Sequence, residues 1–115
     1  MTILLVDDDA AIRQLLAKRL SSKPGCYVAT ARDGQEGLHL FEIGAFDLVL
    51  SDYQMPNMNG LTMIAEIRQR KPAQWIILMT GNPAEAQRDL EARGISDVRI
   101  LSKPFDYKDL EEAMK

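Results

Sequence analysis

Five short apolar runs, separated by longer segments with helical spacing, are the feature that most constrains the fold of this chain. The runs are Ile3–Val6, Cys26–Ala29, Leu48–Leu50, Ile76–Met79 and Val98–Leu101. Alternation of such runs with helical segments is typical of βα units. Right-handed crossovers make successive strands of this kind parallel and place helices on both faces of the sheet. We therefore predict an α/β fold of five βα units, with a doubly wound parallel five-stranded sheet.

The polarity of the runs predicts their places in the sheet. The first, third and fourth are continuously apolar, as strands covered on both faces must be, so we expect them in the middle. The second and fifth, within "CYVAT" and "DVRIL", mix polar with apolar residues, which favours the two edges. This distribution fits the flavodoxin-like strand order 2-1-3-4-5, and in that order the first and third strands are neighbours.

The segments between the runs carry helix signals. Apolar stripes that we expect to face the core are Ile12, Leu15, Leu16 and Leu20 in the first helix, and Leu61, Ile64 and Ile67 in the third. Asp9 and Asp33 are expected to cap the first and second helices. Asn82 before Pro83 predicts the start of the fourth, and Gly94 its end.

Two further features of the helical segments receive structural interpretations. The basic group "RQRK", residues 68–71, is interpreted as solvated charge at the end of the third helix, where cations favour the helix dipole. His39 is the only histidine and lies among apolar residues of the second helix. We expect it to pack or to face solvent rather than to act in chemistry.

Composition narrows the class of protein. A chain of 115 residues, 46% hydrophobic and 27% charged, is long enough for one core, so we expect residues 1–115 to form one domain. A net charge of -3 makes direct binding of nucleic acid improbable on electrostatic grounds. Cys26 is the single cysteine and is expected to be buried in a reducing compartment. No leader or membrane-spanning segment is visible, so we expect a cytoplasmic protein without a membrane partner.

Acidic, hydroxyl and lysine side chains, together with one glycine, follow four of the predicted strands at the point where each strand ends. They are Asp7 and Asp8, then Asp52, then Thr80 and Gly81, and finally Ser102 and Lys103. Ligands of doubly wound sheets bind outside the carboxyl ends of the strands. Because the first and third strands are expected to be adjacent, we expect Asp7 and Asp8 beside Asp52.

Three crowded carboxylates repel one another unless some are protonated or a cation joins them. Lys103 supplies one positive charge, and a divalent ion would supply the other two. Oxygen ligands of this hardness suit Mg2+, which commonly shares its shell with a phosphate. We therefore predict that Asp52 attacks phosphorus as a carboxylate nucleophile and becomes an aspartyl phosphate. Mg2+, Lys103 and the Thr80 hydroxyl would stabilise charge on the phosphoryl oxygens.

Several stretches in this order and spacing carry a family resemblance: "ILLVDDD", "ARDGQEGL", "DLVLSDYQMPNMNG", "ILMTGN" and "LSKPF". Over nearly its whole length, the chain resembles the response-regulator receiver domains of two-component signal transduction. The resemblance implies a phosphorylation-dependent switch that accepts a phosphoryl group from a histidine kinase or histidine phosphotransfer protein. Such a domain is not an enzyme for separate substrates, although it assists its own phosphorylation and dephosphorylation.

The resemblance also implies a role for each residue of the site. Asp52 is the phosphoacceptor, and Asp8 binds Mg2+ directly whereas Asp7 does so through water. The side chain of Asp52 and the backbone carbonyl of Gln54 complete the protein's ligands to the metal. The phosphoryl oxygens are contacted by Thr80, Lys103 and the backbone of Gly81. The resemblance further implies a cis Lys103-Pro104 bond, and a loop after Asp52 shaped by Pro56 and Gly60.

The sequence departs from the family pattern at two places. Ile100 stands where the family usually has a rotating Tyr or Phe, so we expect signalling chiefly through residues 80–84 and the start of the fourth helix. The last helix, from about Asp106, is short for the family, with Leu110, Ala113 and Met114 as its apolar contacts. We therefore expect a longer protein with a C-terminal output domain beyond Lys115 as one partner.

Two alternative functions fit parts of the pattern. A haloacid-dehalogenase-like phosphatase also uses a strand-end aspartate, Mg2+ and a lysine, but its full nucleophile motif and its late acidic pair are absent from this sequence. A degenerate receiver would serve only as a phosphorylation-independent docking module. The presence of Asp7, Asp8, Asp52, Thr80 and Lys103 argues against that alternative.

Overall fold

The computed structural model describes every residue from Met1 to Lys115, in ten alternating elements. The strands are β1 (Thr2–Val6), β2 (Tyr27–Ala31), β3 (Leu48–Asp52), β4 (Trp75–Thr80) and β5 (Val98–Ser102). The helices are α1 (Ala10–Ser21), α2 (Gly34–Ile43), α3 (Gly60–Arg70), α4 (Pro83–Ala92) and α5 (Tyr107–Ala113). The predicted alternation of five strands with five helices is therefore confirmed.

All strand pairs of the sheet are parallel, and the strand order is β2-β1-β3-β4-β5. This is the flavodoxin-like order that the sequence predicts. The strands β1, β3 and β4 are central and nearly fully buried, whereas β2 and β5 form the edges and are only partly buried. Parallel strands covered by helices on both faces require this continuous apolar character, which explains why the central runs were recognisable.

The core lies in two layers, one on each face of the sheet. One layer packs side chains of α2, α3 and α4 against the sheet, and Ile64 and Ile67 are fully buried there. The other packs α1 and α5 through Leu16, Leu20 and Leu110. The short α5 therefore holds to the sheet through the residues that the sequence indicates, because Leu110 and Ala113 are buried and Met114 packs beside them.

The predicted stripe of α1 is only half correct. Leu16 and Leu20 are buried, but Ile12 is 39% exposed and Leu15 is 61% exposed. These two side chains line an apolar groove of about 420 Å³ together with Pro104 and Phe105 from the β5-α5 loop. The N-terminal half of α1 thus faces the β5-α5 loop and solvent rather than the sheet. The periodicity of the sequence alone cannot distinguish a helix face that packs on the sheet from one that packs on a loop.

The helix-start signals are confirmed in the structure. Asp9 accepts hydrogen bonds from the amides of Ala11 and Ile12, and Asp33 accepts one from Glu36. Asn82 caps α4 ahead of Pro83. α5 also begins with a reciprocal capping box between Asp106 and Asp109.

Some strand boundaries and one side-chain interpretation were wrong. The second strand is Tyr27–Ala31, so Cys26 precedes it, although Cys26 is buried as expected. The basic group at the end of α3 is not simply solvated charge. The half-buried Arg68 donates to the carbonyls of Gln74 (2.5 Å), Asp97 (2.8 Å) and Ser96 (3.2 Å), so its guanidinium joins three segments of the chain.

His39 is exposed on α2, in agreement with a surface role. Gly94 has a φ of 68° just after α4, which is the left-handed conformation expected at a helix stop. None of the five helices combines the length and the apolar character needed to cross a membrane.

Candidate functional site

Three carboxylates meet at the carboxyl edge of the sheet. Asp7 and Asp8 follow β1, and Asp52 is the last residue of β3, which pairs directly with β1. One carboxylate oxygen from each of the three lies within 4.8 Å of the others. Asp7 is fully buried and Asp52 is 9% exposed, whereas Asp8 faces solvent. The fold thus creates the acidic cluster that the strand ends predict.

Asp7 combines full burial with an incomplete set of hydrogen bonds. Its Oδ1 accepts a hydrogen bond from the amide of Asp9 at 2.9 Å, but its buried Oδ2 has no partner. Burial raises the pKa of Asp7 above its ordinary value, the Asp9 amide opposes the rise, and the nearby charge of Asp52 adds to it. Arg13 of α1 donates to the backbone carbonyl of Asp7 at 2.7 Å and so fixes the end of β1.

Asp52 is held through a single oxygen. Its Oδ1 accepts from the Lys103 ammonium at 2.9 Å and from the Tyr53 amide at 2.9 Å, while its Oδ2 accepts no hydrogen bond from the protein. Lys103 comes from the β5-α5 loop, and its own amide donates to the carbonyl of Thr80 at 2.7 Å. The Lys103-Pro104 bond is cis, as the family resemblance implies. One oxygen of the proposed phosphoacceptor is therefore oriented, and the other is free.

A cleft of about 360 Å³ opens beside Asp52. It is lined by Asp52, Tyr53, Gln54, Thr80, Gly81, Asn82, Glu85 and Lys103. Thr80 is the last residue of β4 and only 4% exposed, and its hydroxyl accepts from the Asn82 amide at 3.0 Å. The hydroxyl hydrogen therefore remains available to an acceptor in the cleft. Gln54 and Gly81 are exposed at its rim.

The structure thus brings together all the predicted site residues except Ile100. That residue lies half-buried in β5, opposite Leu78 of β4, and packs against the core layer beneath α4. It does not line the cleft. An aliphatic side chain in this position is branched and well packed, which restricts it to few rotamers.

The loop after Asp52 approaches the strand very closely at Gly60. A Cβ at this position would lie 2.1 Å from the carbonyl oxygen of Asp52, so only glycine fits. The Gly60 amide donates to the carbonyl of Tyr53 at 2.9 Å. Gly60 is also the first residue of α3, whose N-cap is Asn59. The turn from β3 into α3 is therefore tight, in agreement with the role predicted for Gly60.

Sequence reasoning missed Tyr53, which lines the cleft and links it to α4. Its amide donates a hydrogen bond to Asp52 Oδ1, and its hydroxyl donates one to the Asp89 carboxylate. The hydrogen bond to Asp89, together with burial, raises the pKa of Tyr53 to about 12. A tyrosine after Asp52 was visible in the sequence, but nothing there indicated a partner 36 residues further along.

The chemistry of the donor set fits a divalent cation. The cluster offers only carboxylate oxygens, and one of them, Asp7 Oδ2, is buried without a donor. A hard cation such as Mg2+ satisfies such oxygens and relieves the repulsion between them. The acidic cluster is therefore compatible with Mg2+ binding.

Comparisons with known proteins agree with this geometry. The family model described as "Response regulator receiver domain" matches residues 3–115. The "Probable transcriptional regulator ycf27" of Guillardia theta is 39% identical over 114 residues, which is 98% of this chain and 43% of that protein. The chain spans 17% to 54% of the length of curated relatives that it matches.

Two solved structures are similar over nearly their whole length. The chemotaxis protein CheY4 of Vibrio cholerae superimposes with a TM-score of 0.87 at 30% identity, covering 98% of this chain and 94% of that one. The response regulator protein TrrA of Thermotoga maritima, solved in complex with Mg(2+)-BeF, has a TM-score of 0.76 at 34% identity, covering 97% of each chain.

Proposed function

The chain belongs to the family of response regulator receiver domains, and we propose that residues 1–115 form a phosphorylation-dependent switch whose phosphoacceptor is Asp52. The observation that carries the proposal is the pairing of Asp52 Oδ1 with Lys103 at 2.9 Å while Asp52 Oδ2 stays free beside the cleft. A carboxylate with one oriented oxygen and one free oxygen is prepared for attack.

In the proposed reaction, the free oxygen of Asp52 forms a bond to the phosphorus of the donor. The bond between phosphorus and the leaving group breaks, and the leaving group keeps the electron pair. Lys103 and the Thr80 hydroxyl stabilise negative charge on the phosphoryl oxygens, and the exposed backbone at Gly81 offers an amide donor. The same groups would assist the later attack of water that returns Asp52 to its free form.

We propose that Asp8, Asp52 and the Gln54 carbonyl hold Mg2+ directly and that Asp7 does so through water. When bound, the ion neutralises charge on the acids and on the phosphoryl group. The buried, partnerless oxygen of Asp7 supports this assignment, because a water held by a cation could donate to it. The Mg(2+)-BeF complex of TrrA shows that a similar protein takes the metal together with a fluoride of beryllium.

The proposed phosphodonor is a histidine kinase or a histidine phosphotransfer protein. Lys103 lines both the phosphoryl cleft and the apolar groove formed by Ile12, Leu15 and the β5-α5 loop. A donor protein seated on this groove would place its phosphohistidine next to Asp52. Polar substitution of Leu15 should then slow transfer from a protein donor and leave transfer from acetyl phosphate unchanged. Equal rates of transfer from the protein donor to the wild type and to the Leu15 variant would show that the donor does not bind at the groove.

For the output of the switch, we propose that phosphorylation acts chiefly through residues 80–84 and the start of α4. Thr80 can bond a phosphoryl oxygen, whereas Ile100 has neither a ring nor a hydroxyl that could change partners, and a ligand shifts an equilibrium only through differential contacts. Backbone and methyl NMR shifts, compared with and without fluoroberyllate at Asp52, test this route. A large rotameric change at Ile100 with residues 80–84 undisturbed would contradict it.

We propose that an output domain of a longer protein, or a separate effector protein, responds to the phosphorylation of the switch. We place this response in the cytoplasm. The relatives are transcriptional regulators longer than this chain, which supports an output domain beyond Lys115. The free, buried Cys26 suits a reducing compartment. Family membership favours neither the phosphatase nor the docking-module alternative.

The test of the proposed function is intact-mass analysis after incubation with acetyl phosphate. The wild-type chain with Mg2+ should gain the mass of one phosphoryl group, and chelation of Mg2+ or the substitution Asp52→Asn should abolish the gain. Continuous turnover of small phosphate esters without a stable adduct would indicate the phosphatase instead. An adduct of full yield on Asp52→Asn would overturn the assignment of the phosphoacceptor.

A further inference from the structure

Few backbone hydrogen bonds hold the β3-α3 loop, residues 53–59, between its two ends. The Tyr53 amide donates to Met79 of β4, and the Gly60 amide donates back to Tyr53. Between these anchors, the amides of Gln54, Met55 and Asn57 make no hydrogen bond to another part of the backbone. The Gln54 carbonyl, a proposed metal ligand, therefore depends on contacts made further along the loop to keep its place.

Contacts to the start of α2 supply the missing anchor. The side-chain amide of Asn57 donates to Asp33 Oδ2 at 2.8 Å, and the Gly34 amide donates to the Met58 carbonyl at 3.0 Å. A Cβ on Gly34 would lie 2.2 Å from the Met58 carbonyl oxygen, so α2 and the loop touch without room for a side chain. The middle of the loop is thus docked onto a rigid helix end.

Asp33 divides its two oxygens between two tasks. Oδ1 caps α2 by accepting from the Glu36 amide at 2.8 Å, and Oδ2 accepts from Asn57. Asp33 is only 7% exposed, and both of its bonds are partly buried although Asn57 itself is exposed. The Glu36 amide, followed by Asn57, holds the pKa of Asp33 below its ordinary value. A capping role alone would need only one of these oxygens.

Asn57 has a φ of 67°, a left-handed conformation that Asn and Asp adopt more readily than other residues with a side chain. This backbone conformation and the bond to Asp33 occur in the same residue, three positions after Gln54. A change in the side-chain bond would therefore be felt along the short stretch that carries the Gln54 carbonyl.

We propose that Asp33, acting through Asn57, is a positioning residue that fixes the β3-α3 loop and thereby sets the affinity of the acidic cluster for Mg2+. The proposal rests on the metal site proposed above. It assigns to Asp33 a function in addition to helix capping, although Asp33 belongs to neither the acidic cluster nor the cleft. Groups that orient metal ligands from outside the coordination shell typically change metal affinity by about 10- to 100-fold when removed.

The test exchanges the two partners. Asp33→Asn keeps an oxygen that can cap α2, since Asn caps helices about as well as Asp, but its amide would then face the amide of Asn57. Asn57→Asp keeps a residue suited to positive φ but sets two carboxylates against each other. The double variant Asp33→Asn/Asn57→Asp restores one donor and one acceptor and has the net charge of the wild type.

Mg2+ affinity is measured by calorimetry, and hydrogen exchange of the bonded amides that hold the loop, those of Gly34, Met58 and Gly60, is measured without metal. Each single variant should bind Mg2+ about tenfold more weakly and exchange faster in the loop, and the double variant should recover most of both losses. Urea unfolding shows whether a variant is folded. Full Mg2+ affinity in both single variants, or a double variant as weak as the singles, would overturn the positioning role.

The outcomes separate this proposal from the proposed function. A wild-type chain that binds no Mg2+ and gains no phosphoryl group would contradict the proposed function itself. A wild-type chain that does both, with single variants unchanged, would contradict only the role of Asp33.

Discussion

The polar groups at the two ends of the parallel strands differ in whether they have partners in the protein. We call the side where the strands begin the amino edge and the side where they end the carboxyl edge. At the amino edge, Arg68 donates to three carbonyls, and Asp47 accepts from the amide of Thr2 at 2.7 Å. At the carboxyl edge, three acids lie together and Asp7 keeps a buried oxygen without a partner. Polar groups at the amino edge form hydrogen bonds that stabilise the fold, whereas some at the carboxyl edge have no partner in the protein and remain available to a ligand. Unsatisfied and crowded polar groups are thus a better guide to the site than polarity as such.

The largest expected effect is at the amino edge. Arg68→Ala removes three hydrogen bonds to carbonyls and should lower the free energy of unfolding by about 2–4 kcal/mol, measured by urea denaturation. Mg2+ affinity should stay unchanged in the folded variant. The matched control is Arg70→Ala, which breaks exposed pairs with Glu42 and Glu66 and should cost much less stability than Arg68→Ala. Equal losses of unfolding free energy in the two variants would show that the hydrogen bonds of Arg68 contribute no more to stability than exposed ion pairs do.

The same substitution at the two edges should change stability in opposite directions. Asp7→Asn removes a buried charge from a crowded cluster and should raise the unfolding free energy by about 1 kcal/mol without metal, while weakening Mg2+ binding. Asp47→Asn weakens a charged acceptor of the Thr2 amide and should lower the unfolding free energy by about 0.5–1 kcal/mol. If Asp7→Asn also destabilises the metal-free chain, the contrast between the edges is wrong.

The sequence predicted the carboxyl edge better than the amino edge. Strand ends and parallel topology bring Asp7, Asp8, Asp52, Thr80 and Lys103 together whatever the details of the loops. The contacts of Arg68 could not be predicted, because its acceptors are backbone carbonyls, and every residue has one. Periodicity located the face of α1 but could not show that Ile12 and Leu15 extend beyond the sheet.

The contacts of the β3-α3 loop were also beyond sequence reasoning. Asp33 was correctly predicted as a cap, but the second oxygen of its carboxylate finds Asn57 only because α2 and the loop are neighbours in space. Tyr53 and Asp89 meet for the same reason. The sequence shows local signals such as caps and strand ends, and side-chain pairs between distant segments emerge only from the packed structure.

Substitutions of the adjacent acids Asp8 and Asp9 at the carboxyl edge should have different effects, one on Mg2+ binding and the other on stability. Asp8 makes no hydrogen bond and is exposed, so Asp8→Ala should weaken Mg2+ binding with a stability change within about 0.5 kcal/mol. Asp9 caps α1, so Asp9→Ala should cost about 1 kcal/mol of stability and leave Mg2+ affinity nearly unchanged. Paired Mg2+ titrations and urea unfolding measure both quantities. A stronger loss of Mg2+ binding in Asp9→Ala would show that the metal site has been placed one residue off.

The smallest effect concerns Tyr53, which connects the carboxyl edge to α4. Its pKa is raised to about 12 from 10.0, so the stability contributed by its neutral hydroxyl is fully present below pH 10 and is lost as pH rises through about 12. Phenolate absorbance of the wild type minus that of Tyr53→Phe should show a component with a midpoint near 12. In Asp89→Asn the midpoint should move down. A midpoint near pH 10 in this difference curve would contradict the bond to Asp89.

The most direct test of the central claim locates the phosphoryl group within the carboxyl edge. An acyl phosphate is reduced by borohydride, so a phosphorylated aspartate becomes homoserine, which peptide mass spectrometry can place in the sequence. After treatment with Mg2+ and acetyl phosphate, the account predicts homoserine at Asp52 and unmodified aspartate at Asp7 and Asp8. Homoserine at Asp7 or Asp8, with Asp52 unmodified, would contradict it.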